Sequence, residues 1–263
     1  MPPIPECAPP FVLPARRGKS ARMTEPLHRT APYAREAPAL VRGASPGRVI
    51  LDVGLFYPRG GGQPGDRGEL VCADGSSLTV LEAIYDEDRT TVLLTTPEDA
   101  ALPARGEAVT ARLDWPTRYA RMRAHTALHL LSVALPYPVT GGAVGDAEGR
   151  LDFDSGDVAF DAGEIAARLA EMVATDAPVT TRWITDEELD ANPGLVKTMK
   201  VKPPRGTGRV RLVEIAGLDI QPCGGTHVAR LSEIGRIEVT GIEKKGKQNR
   251  RVRIKLPYPP PAG

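Results

Sequence analysis

The run QPCGGTHVAR, residues 221–230, sets Cys223 and His227 four residues apart around two glycines and a threonine. About a hundred residues upstream, His125 and His129 share that spacing within RAHTALHLL. On a helix, side chains four apart project from one face about a turn apart, so this pair can grip a single ion. The chain has only four histidines, and three of them fall in these two motifs. Three imidazoles and one thiolate make a nitrogen and sulfur set that suits tetrahedral Zn2+, one per chain, in preference to magnesium or calcium. The wide gap between the halves is unlike a zinc finger, whose short ligand loops fold around the metal. Here the fold must bring the halves together. Two other readings stand beside zinc. His227 acting as base toward Cys223 would make a nucleophilic dyad, which leaves His125 and His129 without work. Alternatively, Cys223 is a core thiol and the histidines are unrelated. Gly224 and Gly225 are expected to bend the chain with positive φ, turning the side chains on either side toward a common point.

The elements that must position these residues follow from pattern and composition. With 263 residues the chain can bury one large or two modest cores, and two is the expectation. Between about 40 and 113, short runs such as RVILDV, GELVCA, SLTVLEAIY, TTVLLTT and AVTARLD alternate with turn residues. They read as strands of a small antiparallel β-barrel spanning residues 23–115. Its loop FYPRGGGQPGDRG, residues 56–68, holds three adjacent glycines that forbid a helix and imply a shaped loop. From Trp115 to Pro136 the apolar residues recur at three and four residue steps, the mark of a helix entered at Pro116. After a glycine-containing turn, GRLDFD and DVAFD read as strands, GEIAARLAEMVATD as an amphipathic helix, VTTRWIT as a strand and DEELDANPG as a short helix. RVRLVEIAGLDI, IGRIEVTGIEKKGK and NRRVRIKL are again strand-like. Residues 116–257 therefore form an α/β two-layer domain, helices on antiparallel sheet, and the whole chain is α+β.

Three cysteines at irregular spacing (Cys7, Cys72, Cys223) are not a secreted disulfide framework, so a reducing cytoplasm is expected. No run of about 18 apolar residues appears, and no membrane span is expected. Prolines interrupt residues 1–22, which read as a disordered basic tail. Met23 looks like the start of the ordered part, so the tail is expected to be an upstream start or a dispensable extension. Residues 258–263 read as a flexible end.

RAHTALHLL followed far downstream by CGGTHV resembles the paired zinc motifs of the alanyl-tRNA synthetase editing domain and its stand-alone AlaX-type relatives, a signature shared with threonyl-tRNA synthetase. FYPRGGGQPGDRG, PGLVKTMKVKPPRG and IGRIEVTGIEKKGKQNRRVRI are similar as well, and the likeness covers about residues 24–256. A chain of this length leaves no space for an aminoacylation core, and it lacks a long C-terminal oligomerisation segment, so a monomer with no protein partner is implied. The resemblance implies a zinc-dependent hydrolase of mischarged tRNA(Ala), chiefly seryl-tRNA and also glycyl-tRNA, with His125, His129, Cys223 and His227 on the metal. A non-catalytic zinc-containing tRNA-binding module and a threonyl-type editing hydrolase are the competing readings. Thr140 falls where related proteins have a threonine beside the aminoacyl pocket. Gly60, Gly61, Gly62 and Gln63 are the second candidates for substrate contact, through close backbone approach and the two-sided amide of Gln63.

Basic and acidic residues nearly cancel, 34 against 33, so any polyanion surface must be local. Leu195 to Val213 carries six basic residues and no acid, and Gly235 to Lys255 carries eight basic residues against two acids. The expected tRNA contacts are Lys197, Lys200, Lys202, Arg205, Lys244, Lys245, Lys247 and Arg250.

Overall fold

The structure is a computed structural model, and residues 26–87, 89–196 and 208–258 are described. A one-turn helix α1 (Leu27–Thr30) precedes seven strands: β1 (Glu36–Ser45), β2 (Arg48–Leu51), β3 (Gly68–Cys72), β4 (Ser77–Val80), β5 (Glu82–Tyr85), β6 (Val92–Thr95) and β7 (Ala108–Leu113). They form one antiparallel sheet in the order β4-β3-β7-β1-β2-β6-β5. Alternate residues of β1 (Ala37, Ala39, Val41) turn inward, as a half-buried strand requires. They join Val49, Leu55, Phe56 and Leu70 in a core of their own.

The expected closed barrel is replaced by a curled open sheet. Closure requires a ladder between the end strands, and among the described residues none joins β4 to β5. Instead the two ends are consecutive in the chain, with only the exposed Leu81 between them. SLTVLEAIY, which reads as one strand, is therefore two strands bent at a corner.

The second half supplies α2 (Trp115–Ala134), β8 (Val139–Val144), β9 (Glu148–Asp154), α3 (Ala162–Ala174), β10 (Val179–Thr185), α4 (Asp186–Ala191), β11 (Arg209–Ile215), β12 (Asp219–Pro222), β13 (Glu238–Lys245) and β14 (Asn249–Lys255). They make a four-stranded sheet, β13-β14-β9-β8, and a three-stranded sheet, β10-β11-β12, with every ladder antiparallel. Helices α2 and α3 pack on the larger sheet and on each other over a second core that includes Met122, Leu130, Leu131, Phe153 and Leu169. The antiparallel α-on-β layering matches the sequence reading, with two local differences. VTGGAV is the strand β8 rather than a turn, because Gly142 lets Leu151 of β9 press against it; a Cβ there would stand 2.9 Å from Leu151 Cδ2. DVAFD is an irregular approach to α3 and not a strand; its Phe160 packs on the core without a ladder.

Helix α2 begins where Asp114 accepts from the Thr117 amide and Pro116 occupies the first turn. It is buried nearly all round because both halves of the protein close on it. Arg118 pairs with Asp66, both out of solvent, and donates to Leu55 O and Pro32 O at 3.0 and 3.1 Å. Arg121 donates to Gly65 O at 2.7 Å. Among the described residues no helix is long and apolar enough to cross a membrane.

Candidate metal centre

Helical spacing places His125 and His129 on one face of α2, with ring centroids 5.4 Å apart. Strand β12 delivers the second half. Its continuation is pinned by the Cys223 amide donating to Arg211 O at 3.1 Å, and by the Arg211 guanidinium donating to Cys223 O and Gly225 O at 2.8 and 2.9 Å. One ligand atom from each of His125, His129, Cys223 and His227 then lies within 4.8 Å of the others. Cys223 Sγ stands 3.5 Å from His125 Nε2 and 3.3 Å from His227 Nε2.

Every imidazole is held from behind. His125 Nδ1 meets Gln63 Oε1 at 2.8 Å, and His129 Nδ1 meets Asp219 Oδ2 at 3.0 Å. His227 Nδ1 lies 3.2 Å from Thr126 Oγ1, whose own hydrogen goes to Met122 O at 2.9 Å. All three partners are therefore acceptors, so each Nδ1 carries the proton and each Nε2 lone pair is free to point inward. This is the arrangement that fixes tautomer and ring orientation in metal-binding histidines.

The electrostatics favour a thiolate at Cys223 and a neutral His227, whereas at His129 they favour the charged ring, whose Nε2 proton a metal would displace. Burial works against a thiolate at Cys223, yet His125 and His227 hold its pKa well below the ordinary value. The thiolate is the metal-binding form. His227 is pushed down to about 3, by burial first and then by His125. Burial also opposes a charge on His129, but Asp219 and Cys223 outweigh it and raise that ring to about 9. A Cys223–His227 dyad needs one imidazole near the sulfur, whereas three converge here. The donor set and its orientation fit a tetrahedral zinc ion.

Neither Gly224 nor Gly225 has the expected positive φ. Gly225 is needed for a different reason: a Cβ there would fall 2.2 Å from His125 Cε1 and 2.8 Å from Gln63 Oε1. The backbone must pass where a side chain would otherwise stand. At Gly224 a Cβ would meet nothing within 4 Å.

The glycine-rich loop reaches this centre from the first half of the chain. Gly62 O accepts from the Val144 amide at 2.9 Å, seating the loop on β8. Gly61 and Gly62 are exposed and Gly60 is half-buried, whereas Gln63 is only 1 % exposed. Thr140 is half-buried on β8, its hydroxyl 2.9 Å from Asn249 Oδ1 and 3.2 Å from Asp152 O. Lys244, Lys245 and Lys247 are exposed at the turn between β13 and β14. The Arg250 side chain is 11 % exposed and faces Asp157 at 3.9 Å. Lys197, Lys200, Lys202 and Arg205 lie outside the described residues, as do the tail at 1–22 and the end of the chain from 259. The sequence alone assigns Thr126, Asp219, Thr226 and Arg211 no part in the centre. Thr126, lying between the two helical histidines, and Thr226, lying between Cys223 and His227, carry a local signal, whereas Asp219 and Arg211 carry none.

Residues 210–253 match the family described as the threonyl and alanyl tRNA synthetase second additional domain. The chain is similar to the alanyl-tRNA editing protein AlaX-M of Methanosarcina acetivorans, 34 % identical over 243 residues that span 89 % of this chain and 99 % of that protein. AlaX-M of Saccharolobus solfataricus is 34 % identical over 235 residues, 88 % of this chain and 98 % of that one. A likeness to the alanine-tRNA ligase of Korarchaeum cryptofilum, 35 % over 229 residues, covers 84 % of this chain but 25 % of the ligase. With this identity over most of both chains, the chain belongs to the AlaX-type alanyl-tRNA editing proteins.

Proposed function

We propose that this protein hydrolyses the aminoacyl ester of mischarged tRNA(Ala), chiefly seryl-tRNA(Ala) and also glycyl-tRNA(Ala), in a zinc-dependent reaction. The observation that carries the reading is the set of three backed imidazoles converging on the Cys223 sulfur, in a chain similar over most of its length to proteins named for alanyl-tRNA editing. His125, His129, Cys223 and His227 would hold the ion. When bound, zinc supplies a positive charge that polarises an oxygen beside it. The ester is already activated relative to an amide, so the protein must chiefly orient it beside a water.

The need for such a site is physical. A pocket made for alanine cannot strongly reject glycine by size or serine by one hydroxyl, so a second hydrolytic site adds the missing selectivity. In this reading the glycines Gly60, Gly61 and Gly62 let backbone approach the terminal ribose, and the Thr140 oxygen accepts from the serine hydroxyl. One neutral hydrogen bond contributes about 0.5–1.5 kcal/mol, so Thr140→Val should lower the serine to glycine rate ratio roughly 2–10-fold. An unchanged ratio removes Thr140 from discrimination. Lys244, Lys245 and Lys247, with Lys197, Lys200, Lys202 and Arg205, would meet the phosphates, whereas Arg250, largely covered and facing Asp157, would contribute little. All four ligand atoms come from one chain, so the centre needs no residue of a second copy, and a monomer is the acting unit in this reading.

Chelation followed by zinc addition tests the dependence. Deacylation of seryl-tRNA(Ala) should disappear and return. Folded, zinc-loaded protein that binds tRNA and leaves the ester intact would instead be a binding module.

A further inference from the structure

Gly60 and Gln63 exchange two backbone hydrogen bonds, Gly60 N to Gln63 O at 3.1 Å and Gln63 N to Gly60 O at 2.9 Å. Between them Gly61 and Gly62 have φ of 56° and 82°. This is a two-residue turn with positive φ at both central positions, a conformation that glycine adopts without steric cost. The turn is braced by its seat on Val144 and, beyond Gln63, by Arg121 on Gly65 O and by the Arg118 pair with Asp66.

The result is a buried amide placed between the two halves of the ligand set. Gln63 Oε1 accepts from His125 Nδ1 at 2.8 Å and from the Thr226 amide at 3.2 Å, while Nε2 donates to Thr226 Oγ1 at 2.9 Å. His125 belongs to the helical pair of ligands. Thr226 lies between Cys223 and His227. Thus one side chain from the first half of the protein ties together ligand pairs about a hundred residues apart. Gly225 lacks a side chain where this amide and the His125 ring meet.

We propose that Gln63 is a positioning residue of the metal centre: it fixes His125 with its proton on Nδ1 and staples the helical ligands to the Cys223–His227 loop. The three glycines then serve to deliver Gln63, and the first half of the chain sets the metal affinity of the second. This inference rests on reading the centre as a zinc site, but not on what the site hydrolyses.

The test is zinc affinity of the full chain, measured by chelator competition without tRNA, together with the visible spectrum of the cobalt-substituted protein. Gln63→Met keeps the length and removes the strong acceptor. It should weaken zinc binding about 10–100-fold, the usual cost of losing an outer partner of a ligand, and alter the cobalt spectrum. Gln63→Glu keeps an acceptor for His125 Nδ1 and the Thr226 amide, and the Thr226 hydroxyl can turn to donate, so it should stay within a few-fold of wild type. Thr226→Val cuts only the Nε2 contact and should cause a smaller loss, which serves if Gln63→Met does not fold. Wild-type affinity in Gln63→Met, or in Thr226→Val where the methionine variant fails to fold, would overturn the proposal. So would a Glu variant as weak as the Met variant. A wild type that binds zinc but hydrolyses nothing would defeat the editing reading alone, and one that binds no zinc would defeat both.

Discussion

Arg118 of α2 and Asp66 beside the glycine-rich loop form an ion pair that solvent does not reach, with side chains 1 % and 2 % exposed. The pair joins the helix that carries His125 and His129 to the segment that carries Gln63. Removing one partner strands a charge in the interior, which typically costs about 3–5 kcal/mol. Arg118→Met should therefore lower the urea unfolding free energy by that amount. A loss below about 1 kcal/mol, the worth of an exposed pair, would contradict the buried geometry.

Gly224 and Gly225 make a matched comparison. Alanine at 225 collides with the His125 ring and with Gln63, and overpacking of this kind costs about 1–3 kcal/mol. Gly225→Ala should weaken zinc binding and ester hydrolysis together, whereas Gly224→Ala should leave both near wild type. Zinc titration of the two variants checks this; equal behaviour would show that the close approach at 225 has no bearing on the centre.

These two glycines also show which parts of the site could be read in advance. The helical pair His125 and His129 was legible because helix spacing is a local rule, and Asp114 and Pro116 announce where that helix starts. The expectation of positive φ at Gly224 and Gly225 failed because a glycine can be required by a neighbour distant in sequence, here His125 and Gln63. The same blindness hid Asp219, which meets His129 across 90 residues. Strand β1 has an Ala, Pro, Arg and Gly content of low strand propensity and exists because β2 and β7 pair with it on both sides. Closure of the barrel was likewise a tertiary question, decided by the corner at Leu81.

His28 gives the fold a pH dependence separate from the metal. It is buried against Tyr57, bonded through Nδ1 to Gly54 O at 3.2 Å, and its pKa is lowered to about 3 by burial first and then by Arg118 and Arg29. Below the ordinary value of 6.5 the unfolded chain takes up a proton that the folded chain refuses. The contribution is thus fully present above 6.5 and is lost as pH falls toward 3, at up to about 1.4 kcal/mol per pH unit. His28→Gln, which can still donate to Gly54 O, should flatten the urea midpoint between pH 6.5 and about 4.5 relative to wild type. Parallel profiles would mean that His28 titrates normally.

The basic turn between β13 and β14 should set the salt dependence of tRNA binding. Every phosphate left without its cation reduces the slope of log affinity against log salt by roughly 0.7–0.9. Joint replacement of Lys244, Lys245 and Lys247 by alanine should therefore lower the slope by about 2–3. Arg250→Ala should change it little, because that side chain is largely covered and faces Asp157. A triple variant with the wild-type slope would move the RNA path away from this turn.

In the proposed function the cluster of His125, His129, Cys223 and His227 is a zinc centre for ester hydrolysis. Deacylation of purified seryl-tRNA(Ala), followed side by side with zinc content for wild type and Cys223→Ala, tests it most directly. The expected result is rapid hydrolysis by a wild type holding one zinc per chain, and loss of metal and activity together in the folded variant. Hydrolysis that persists in a folded, zinc-free Cys223→Ala protein would contradict it.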